Sequence, residues 1–166
     1  MRIIGIDPGI ARLGWGVIDS IGNKVKPINF GCFETSKDDP VQVRLLAIHN
    51  FLDKLFLEYK PDALSIEELF FNKNVSTALT VGQARGIVIL SSALHNVPFY
   101  SFTPLEIKMA LTGYGRADKS QIGHMVKTLL YLKSIPKPDD TADALAIAIT
   151  HAFTSKLKTQ IEKGKI

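Results

Sequence analysis

The chain has 166 residues, of which 46% are hydrophobic and 22% are charged, a composition typical of one packed globular domain. Its single cysteine, Cys32, excludes an intrachain disulfide and a cluster of thiolates around zinc, and it fits a reducing compartment. No apolar run approaches the ~20 residues that cross a bilayer, and no signal peptide is recognisable. We therefore expect a cytoplasmic protein without a membrane partner.

The net charge of +4 is unevenly distributed along the chain. Residues 1–83 contain 9 Lys or Arg against 10 Asp or Glu, whereas residues 84–166 contain 11 against 6. A basic half favours a polyanionic partner, because lysines release the counterions condensed on nucleic acid. A solvated surface would carry the same charges, so the asymmetry alone does not decide between the two.

The first third of the chain is predicted to be a three-stranded antiparallel meander. An apolar run over residues 2–7, closed by a Pro-Gly turn, is typical of a central strand. Residues 12–20 and 24–35 follow at hairpin spacing. Because Pro27 cannot donate a ladder hydrogen bond, the third strand should be an edge strand or contain a bulge there.

The rest of the chain alternates helices with two further strands. A helix should begin after Pro40, with one apolar face at positions 41, 45, 48, 52, 55, 56 and 59. The later predicted segments are a strand at 62–69, a helix at about 74–95, a strand at 97–102, a capped helix start at Thr103-Pro104, a loop at 113–118, and helices at 119–132 and 141–153.

This order of elements predicts an α/β fold with a mixed five-stranded sheet flanked by helices. The first three strands are antiparallel, and the other two are joined to them by helical crossovers. Residues 1–155 should form a single domain, and residues 156–166 a basic, flexible tail.

Four carboxylates occupy unusual places in this scheme. Asp7 ends the first strand, Glu67 lies in the fourth, and Asp140 and Asp143 lie three residues apart at the start of the last helix. Burying an unpaired carboxylate is costly. If the first and fourth strands are neighbours, Asp7 and Glu67 share one crevice at the edge of the sheet.

Each carboxylate also has a purely structural interpretation. Asp7 before Pro8-Gly9 could form a turn, and Glu67 could be a solvated strand residue. Asp140 could cap the last helix, where the helix dipole also favours Asp143. Taken together, however, several carboxylates without His or Cys suit Mg²⁺ or Mn²⁺, and two such ions ~3.5–4 Å apart can cleave a phosphodiester. The residues alone therefore predict a metal-dependent nuclease.

Longer stretches of the sequence resemble the bacterial RuvC endonucleases, which resolve four-way Holliday junctions. The matching stretches are IIGIDPGIARLGWGVI, LSIEELFFNKNVSTALTVGQARG, GYGRADKSQIGHMV and DDTADALAIAITHAF, in family order. The resemblance implies an RNase H-like fold, a homodimer and Mg²⁺-dependent symmetric nicking of two opposing strands, leaving ligatable 5′-phosphate and 3′-hydroxyl ends. It also implies a partnership with a branch-migration complex of RuvA and RuvB type proteins.

The resemblance also assigns the site residues. It places the family's acidic tetrad on Asp7, Glu67, Asp140 and Asp143, holding two Mg²⁺ ions for which Mn²⁺ could substitute. Asp139 creates a one-place ambiguity, in which the D-x-x-D spacing favours Asp140, as a metal ligand or a proton-transfer group. The DNA-binding residues that it implies are Phe70, stacking on bases at the opened junction, Lys108, Lys119 and Arg85.

Arg85 could contact DNA, the partner subunit or its own chain. Three alternative functions also remain open. Another RNase H-like nuclease or a sugar-kinase-like ATPase would share the first-strand motif, although the ATPase needs a second domain. A non-enzymatic junction-binding module would need the basic surface but not the four acids.

Overall fold

The computed structural model describes residues 1–22, 24–68 and 75–162. Within these ranges the chain forms five strands and five helices. The strands are β1 (Arg2–Asp7), β2 (Arg12–Ile21), β3 (Lys24–Glu34), β4 (Ala63–Glu67) and β5 (Phe99–Phe102). The helices are α1 (Val41–Tyr59), α2 (Val75–Leu94), α3 (Pro104–Thr112), α4 (Lys119–Leu129) and α5 (Asp139–Glu162). No helix in these ranges is long and apolar enough to span a membrane.

The strands form one mixed sheet in the order β3-β2-β1-β4-β5. The β1–β2 and β2–β3 pairs are antiparallel, whereas β1–β4 and β4–β5 are parallel. This confirms the predicted sheet of three antiparallel strands extended by two crossover strands. Strand β1 lies at its centre, where Ile3, Ile4 and Ile6 are completely buried.

The irregularity predicted at Pro27 is present. Strand β3 lies at the edge of the sheet, and its register with β2 shifts from the Val17–Asn29 pair to the Ile18–Pro27 pair. Ile28 is therefore the extra residue of a bulge. Both the edge position and the bulge relieve the ladder of the hydrogen bond that proline cannot donate.

Helix starts follow the capping signals with one exception. At α3, Thr103 and Glu106 form the predicted reciprocal capping box. Helix α5 begins at Asp139 rather than at Thr141, so Asp140 lies inside the first turn and not at the cap position. The helix continues to Glu162, and the proposed domain boundary at residue 155 stays a prediction.

The two faces of the sheet support separate cores. Ile4 and Ile6 pack against α1 and α2, whereas Ile3 packs against α3, α4 and α5. This follows from the period-two alternation of strand side chains. Asp7, two residues after Gly5 and four after Ile3, therefore lies on the face covered by α5.

Helix α5 comes unusually close to β1 and β2, because glycines face it. A Cβ atom at Gly5 would lie 2.8 Å from the amide nitrogen of Ala148 and 3.0 Å from its Cβ. A Cβ at Gly16, the β2 residue paired with Gly5, would lie 2.8 Å from Cγ of Leu145. The helix can occupy this position only because these strand residues have no side chain.

We expect Gly5→Ala to destabilise the fold, by about 1–3 kcal/mol, because the new methyl group meets main-chain atoms that cannot rotate away. Urea unfolding would measure the loss. Gly86→Ala on α2 is the control, since a Cβ there meets nothing within 4 Å. It should be neutral or stabilising by up to about 1 kcal/mol, because alanine favours helix. Equal stability of Gly5→Ala and wild type would contradict the close packing.

Candidate active site

The candidate site lies where the two central parallel strands end. Ile6 of β1 pairs with Ile66 of β4, and each is followed by an acidic residue, Asp7 or Glu67. The two strands are the predicted neighbours, and their carboxylates lie at the same edge of the sheet. Glu68 is exposed, as expected for the residue on the other side of the strand.

Helix α5 brings the other two acids to this edge. Asp7 pairs across the β1–β2 ladder with Gly14, and a Cβ at Gly14 would lie 3.0 Å from Cβ of Asp140. The first turn of α5 therefore lies directly against the end of β2. Asp143, three residues further along the helix, lies on the same face as Asp140.

The four carboxylates act on one another electrostatically. Burial, followed by the charges of Asp143, Glu67 and Asp140, raises the pKa of Asp7 to about 7. Burial is also the main cause of the raised pKa values of Glu67 and Asp143, with further contributions from neighbouring acids. Like charges sharing a partly buried site disfavour ionisation, so the cluster calls for a cation.

Two of the predicted lysines lie beside these acids. The Nζ atom of Lys119 is 3.2 Å from Oδ2 of Asp143, and this contact raises the pKa of the lysine. Lys108 lines one crevice together with Lys119, Glu67 and Asp143, and its charge lowers the pKa of Glu67. The Lys119 side chain is 78% exposed, so it can move toward an incoming anion.

Asp139 and Asp140 have different surroundings, which bears on the ambiguity between them. Asp139 is exposed, and its Oδ1 lies 2.6 Å from Nζ of Lys137, which lowers its pKa. Asp140 is half-buried, and its charge contributes to the raised pKa of Asp7. The charge of Asp139 contributes to the raised pKa of Asp143 but not to that of Asp7, so Asp140 is the one of the two that acts on Asp7, and its place in the site stays a prediction.

The donor set fits a hard divalent cation. Its members are carboxylates, which Mg²⁺ and Mn²⁺ prefer, and their mutual repulsion is what a bound cation would remove. Among the described residues, no three His, Cys, Asp or Glu side chains already converge as a formed metal site.

The structure gives different information on the other two predicted DNA-binding residues, Phe70 and Arg85. Phe70 lies outside the described residues. Arg85 projects from α2 to the end of β4, where it donates a hydrogen bond to the main-chain carbonyl of Glu67 and another, of 2.9 Å, to Oγ of Ser101. Neither observation tests a contact with DNA, so both assignments stay predictions.

Sequence reasoning missed a buried polar pair behind the acids. Oγ of Ser65 lies 2.6 Å from Nδ1 of His151, and both residues are almost completely buried. The bond joins β4, two residues before Glu67, to α5, two turns after Asp143. The sequence feature that could have predicted this pair is Ser65, a small polar residue in an otherwise apolar strand, on the same face as Glu67.

The raised pKa of Asp7 predicts how stability depends on pH in the absence of divalent ions. Between about pH 4 and pH 7 the folded chain keeps a proton on Asp7 that the unfolded chain has lost, so stability should fall as pH rises through this range. Asp7→Asn should therefore be more stable than wild type at about pH 8, with a smaller difference near pH 4.

Urea unfolding in the presence of a chelator at both pH values would measure this difference. Asp139→Asn is the matched control. Because Lys137 lowers the pKa of Asp139, losing that carboxylate should give no gain in stability at about pH 8. A pH-independent difference between Asp7→Asn and wild type would contradict the assigned burial of charge.

Comparison with known proteins places this chain in a family. The sequence model described as Crossover junction endodeoxyribonuclease RuvC matches residues 3–151. A protein of that description from Brevibacillus brevis is 55% identical over 152 residues, covering 92% of each chain. The structure of Thermus thermophilus RuvC in complex with Holliday junction substrate is 38% identical, with a TM-score of 0.92 over 96% of this chain and 97% of that one.

A more distant structure shares only the fold. The yeast mitochondrial Holliday junction resolvase is 16% identical, with a TM-score of 0.70 over 98% of this chain and 82% of that chain. Together with the mixed sheet, these neighbours confirm the predicted RNase H-like α/β fold.

Proposed function

The chain belongs to the RuvC family of crossover junction endodeoxyribonucleases, as its motifs predicted, and we propose that it resolves Holliday junctions through the site at Asp7. The observation that carries this proposal is the position of Asp7, Glu67, Asp140 and Asp143 at one edge of the sheet, where burial, followed by the charges of the other three acids, raises the pKa of Asp7 to about 7. A binding module would have no need of this costly cluster.

The four carboxylates would hold the metal, which we propose to be two Mg²⁺ ions with Mn²⁺ as a possible substitute. Bound metal would supply an acidified water as nucleophile and would stabilise the leaving oxygen. Asp7 lies at the end of the central strand, and the charges of the other three acids all raise its pKa. It is therefore the natural central ligand, with the other acids around it.

The two lysines and the turn after β1 would contact the DNA backbone. Lys108 and Lys119 provide positive charge in the crevice that contains Glu67 and Asp143, where they can stabilise charge on a phosphate. Pro8-Gly9 turn the chain away from Asp7 and leave room beside it. Cleavage would leave a 5′-phosphate and a 3′-hydroxyl, which a ligase can seal.

We further propose a homodimer, in which two sites related by a dyad make paired cuts in a junction of similar symmetry. Leu79, Leu90 and Leu94 support it, because they are 51–68% exposed and their spacing places them on one face of α2. Phe70 is a proposed contact to bases of the DNA. A cytoplasmic location and a RuvA–RuvB type branch-migration complex complete the proposal.

Asp7→Asn should abolish junction cleavage while leaving junction binding intact, because the amide keeps the shape of the side chain but is a poor ligand for a hard cation. The measurement is incubation of purified protein with a synthetic four-way junction, a linear duplex and an RNA, each with Mg²⁺ or chelator. Wild type should make paired nicks in the junction, only with Mg²⁺. Full Mg²⁺-dependent cleavage by Asp7→Asn would contradict the assignment of Asp7 as a catalytic residue.

Asp140→Asn and Asp139→Asn form a second, internally matched pair. We expect Asp140→Asn to lower the single-turnover cleavage rate by at least about 10-fold, as is typical when a metal site is disturbed. Asp139→Asn, whose carboxylate contacts Lys137, should stay within about 2-fold of wild type, since exposed ion pairs contribute little. The reverse order of rates would assign the site to Asp139.

A further inference from the structure

Arg85 ties three elements together at the end of β4. From α2, one of its terminal nitrogens donates to the main-chain carbonyl of Glu67, and the other donates to Oγ of Ser101 on β5 at 2.9 Å. The guanidinium also lies over the ring of Phe99, with its carbon 5.8 Å from the ring centroid. An arginine fork suits such a multiple contact better than a lysine does.

These contacts lie on the opposite face of the sheet from the acids. Ser101 pairs with Ile66, whose side chain belongs to the core beneath α1 and α2, whereas the Glu67 side chain lies on the α5 face. Arg85 therefore reaches Glu67 from behind, through its backbone. It can hold this residue in place without occupying the space in which a metal or a phosphate would be bound.

The hydrogen bond from Arg85 supports the backbone of Glu67 at a point where the sheet itself gives it less support. The β1–β4 register ends at the Ile6–Ile66 pair, so Glu67 extends beyond the central ladder. On its other side, the amide of Glu68 still donates to the carbonyl of Phe102 at 2.8 Å. A hydrogen bond from a charged donor is stronger than a neutral one, and here it fixes the peptide unit that carries a site carboxylate.

We propose that Arg85 is a positioning residue for Glu67, which holds the end of β4 against β5 and α2 so that the carboxylate meets those of Asp7 and Asp143. This inference rests on the proposed nuclease function of the same site. It assigns Arg85 a role within its own chain, in place of a DNA contact. Outer residues of this kind commonly change activity 10- to 100-fold when substituted.

The two roles predict different measurements. A phosphate contact contributes to junction affinity, and its loss lowers the slope of log affinity against log salt by about one. A positioning residue leaves affinity and slope unchanged but lowers the rate of the bound complex. Affinity can be measured in chelator, where no cleavage occurs, and the rate under single-turnover conditions with saturating protein and Mg²⁺.

The test compares wild type with Arg85→Ala, Ser101→Ala and, as control, Lys54→Ala, which removes an exposed lysine from α1. We expect Arg85→Ala to lower the single-turnover rate about 10- to 100-fold, with unchanged affinity and salt slope. Ser101→Ala, which keeps the arginine, should lower the rate about 2- to 10-fold, corresponding to one hydrogen bond. Lys54→Ala should cleave like wild type.

The outcomes distinguish a failure of the positioning role of Arg85 from a failure of the proposed nuclease function. Wild type that fails to cut the junction overturns the proposed function itself. If wild type cuts, a normal rate for Arg85→Ala overturns the positioning role, and weaker binding with a lower salt slope assigns Arg85 to DNA instead. Should Arg85→Ala fail to fold, as judged by thermal unfolding, Ser101→Ala decides, because a wild-type rate there overturns the proposal.

Discussion

The close approach of α5 to the centre of the sheet determines where the acids of this protein lie. Gly5 and Gly16 lie side by side on β1 and β2, with Ala144 and Ala148 of α5 opposite Gly5 and Leu145 opposite Gly16. The absence of side chains at the two glycines allows α5 to approach the sheet over this stretch. The start of the helix then lies against Gly14, and its first turn delivers carboxylates beside Asp7.

That packing brings the negatively charged carboxylates of the site close together, which costs folding free energy. Asp7 follows Ile6, which is completely buried, on the central strand of the sheet. Burial, followed by the charges of the neighbouring acids, raises the pKa of Asp7. Such a cluster lowers the stability of the chain alone, and a bound cation would recover it. Ligand affinity and lost stability are thus two consequences of the same arrangement.

Local signals in the sequence were sufficient for most of the fold. The alternation of apolar residues, the proline in β3 and the capping box at Thr103 each act over a few residues, and the structure confirms them. The start of α5 was less predictable, because Asp139 and Asp140 can both occupy a first turn after Pro138. The acids of the site could be named from spacing and family motifs. Their supporting contacts could not, because Ser65 with His151, and Arg85 with Glu67, meet only through the topology.

These two contacts hold the same short strand from opposite sides. The Ser65–His151 bond fastens the middle of β4 to α5, the helix that carries Asp143. Arg85 fastens the end of β4 to α2 and β5 on the other face. Because β4 is only five residues long, ladder hydrogen bonds alone give its last residue little support. A site assembled from separate elements needs such ties, since a small displacement of one carboxylate would alter the geometry shared by all four.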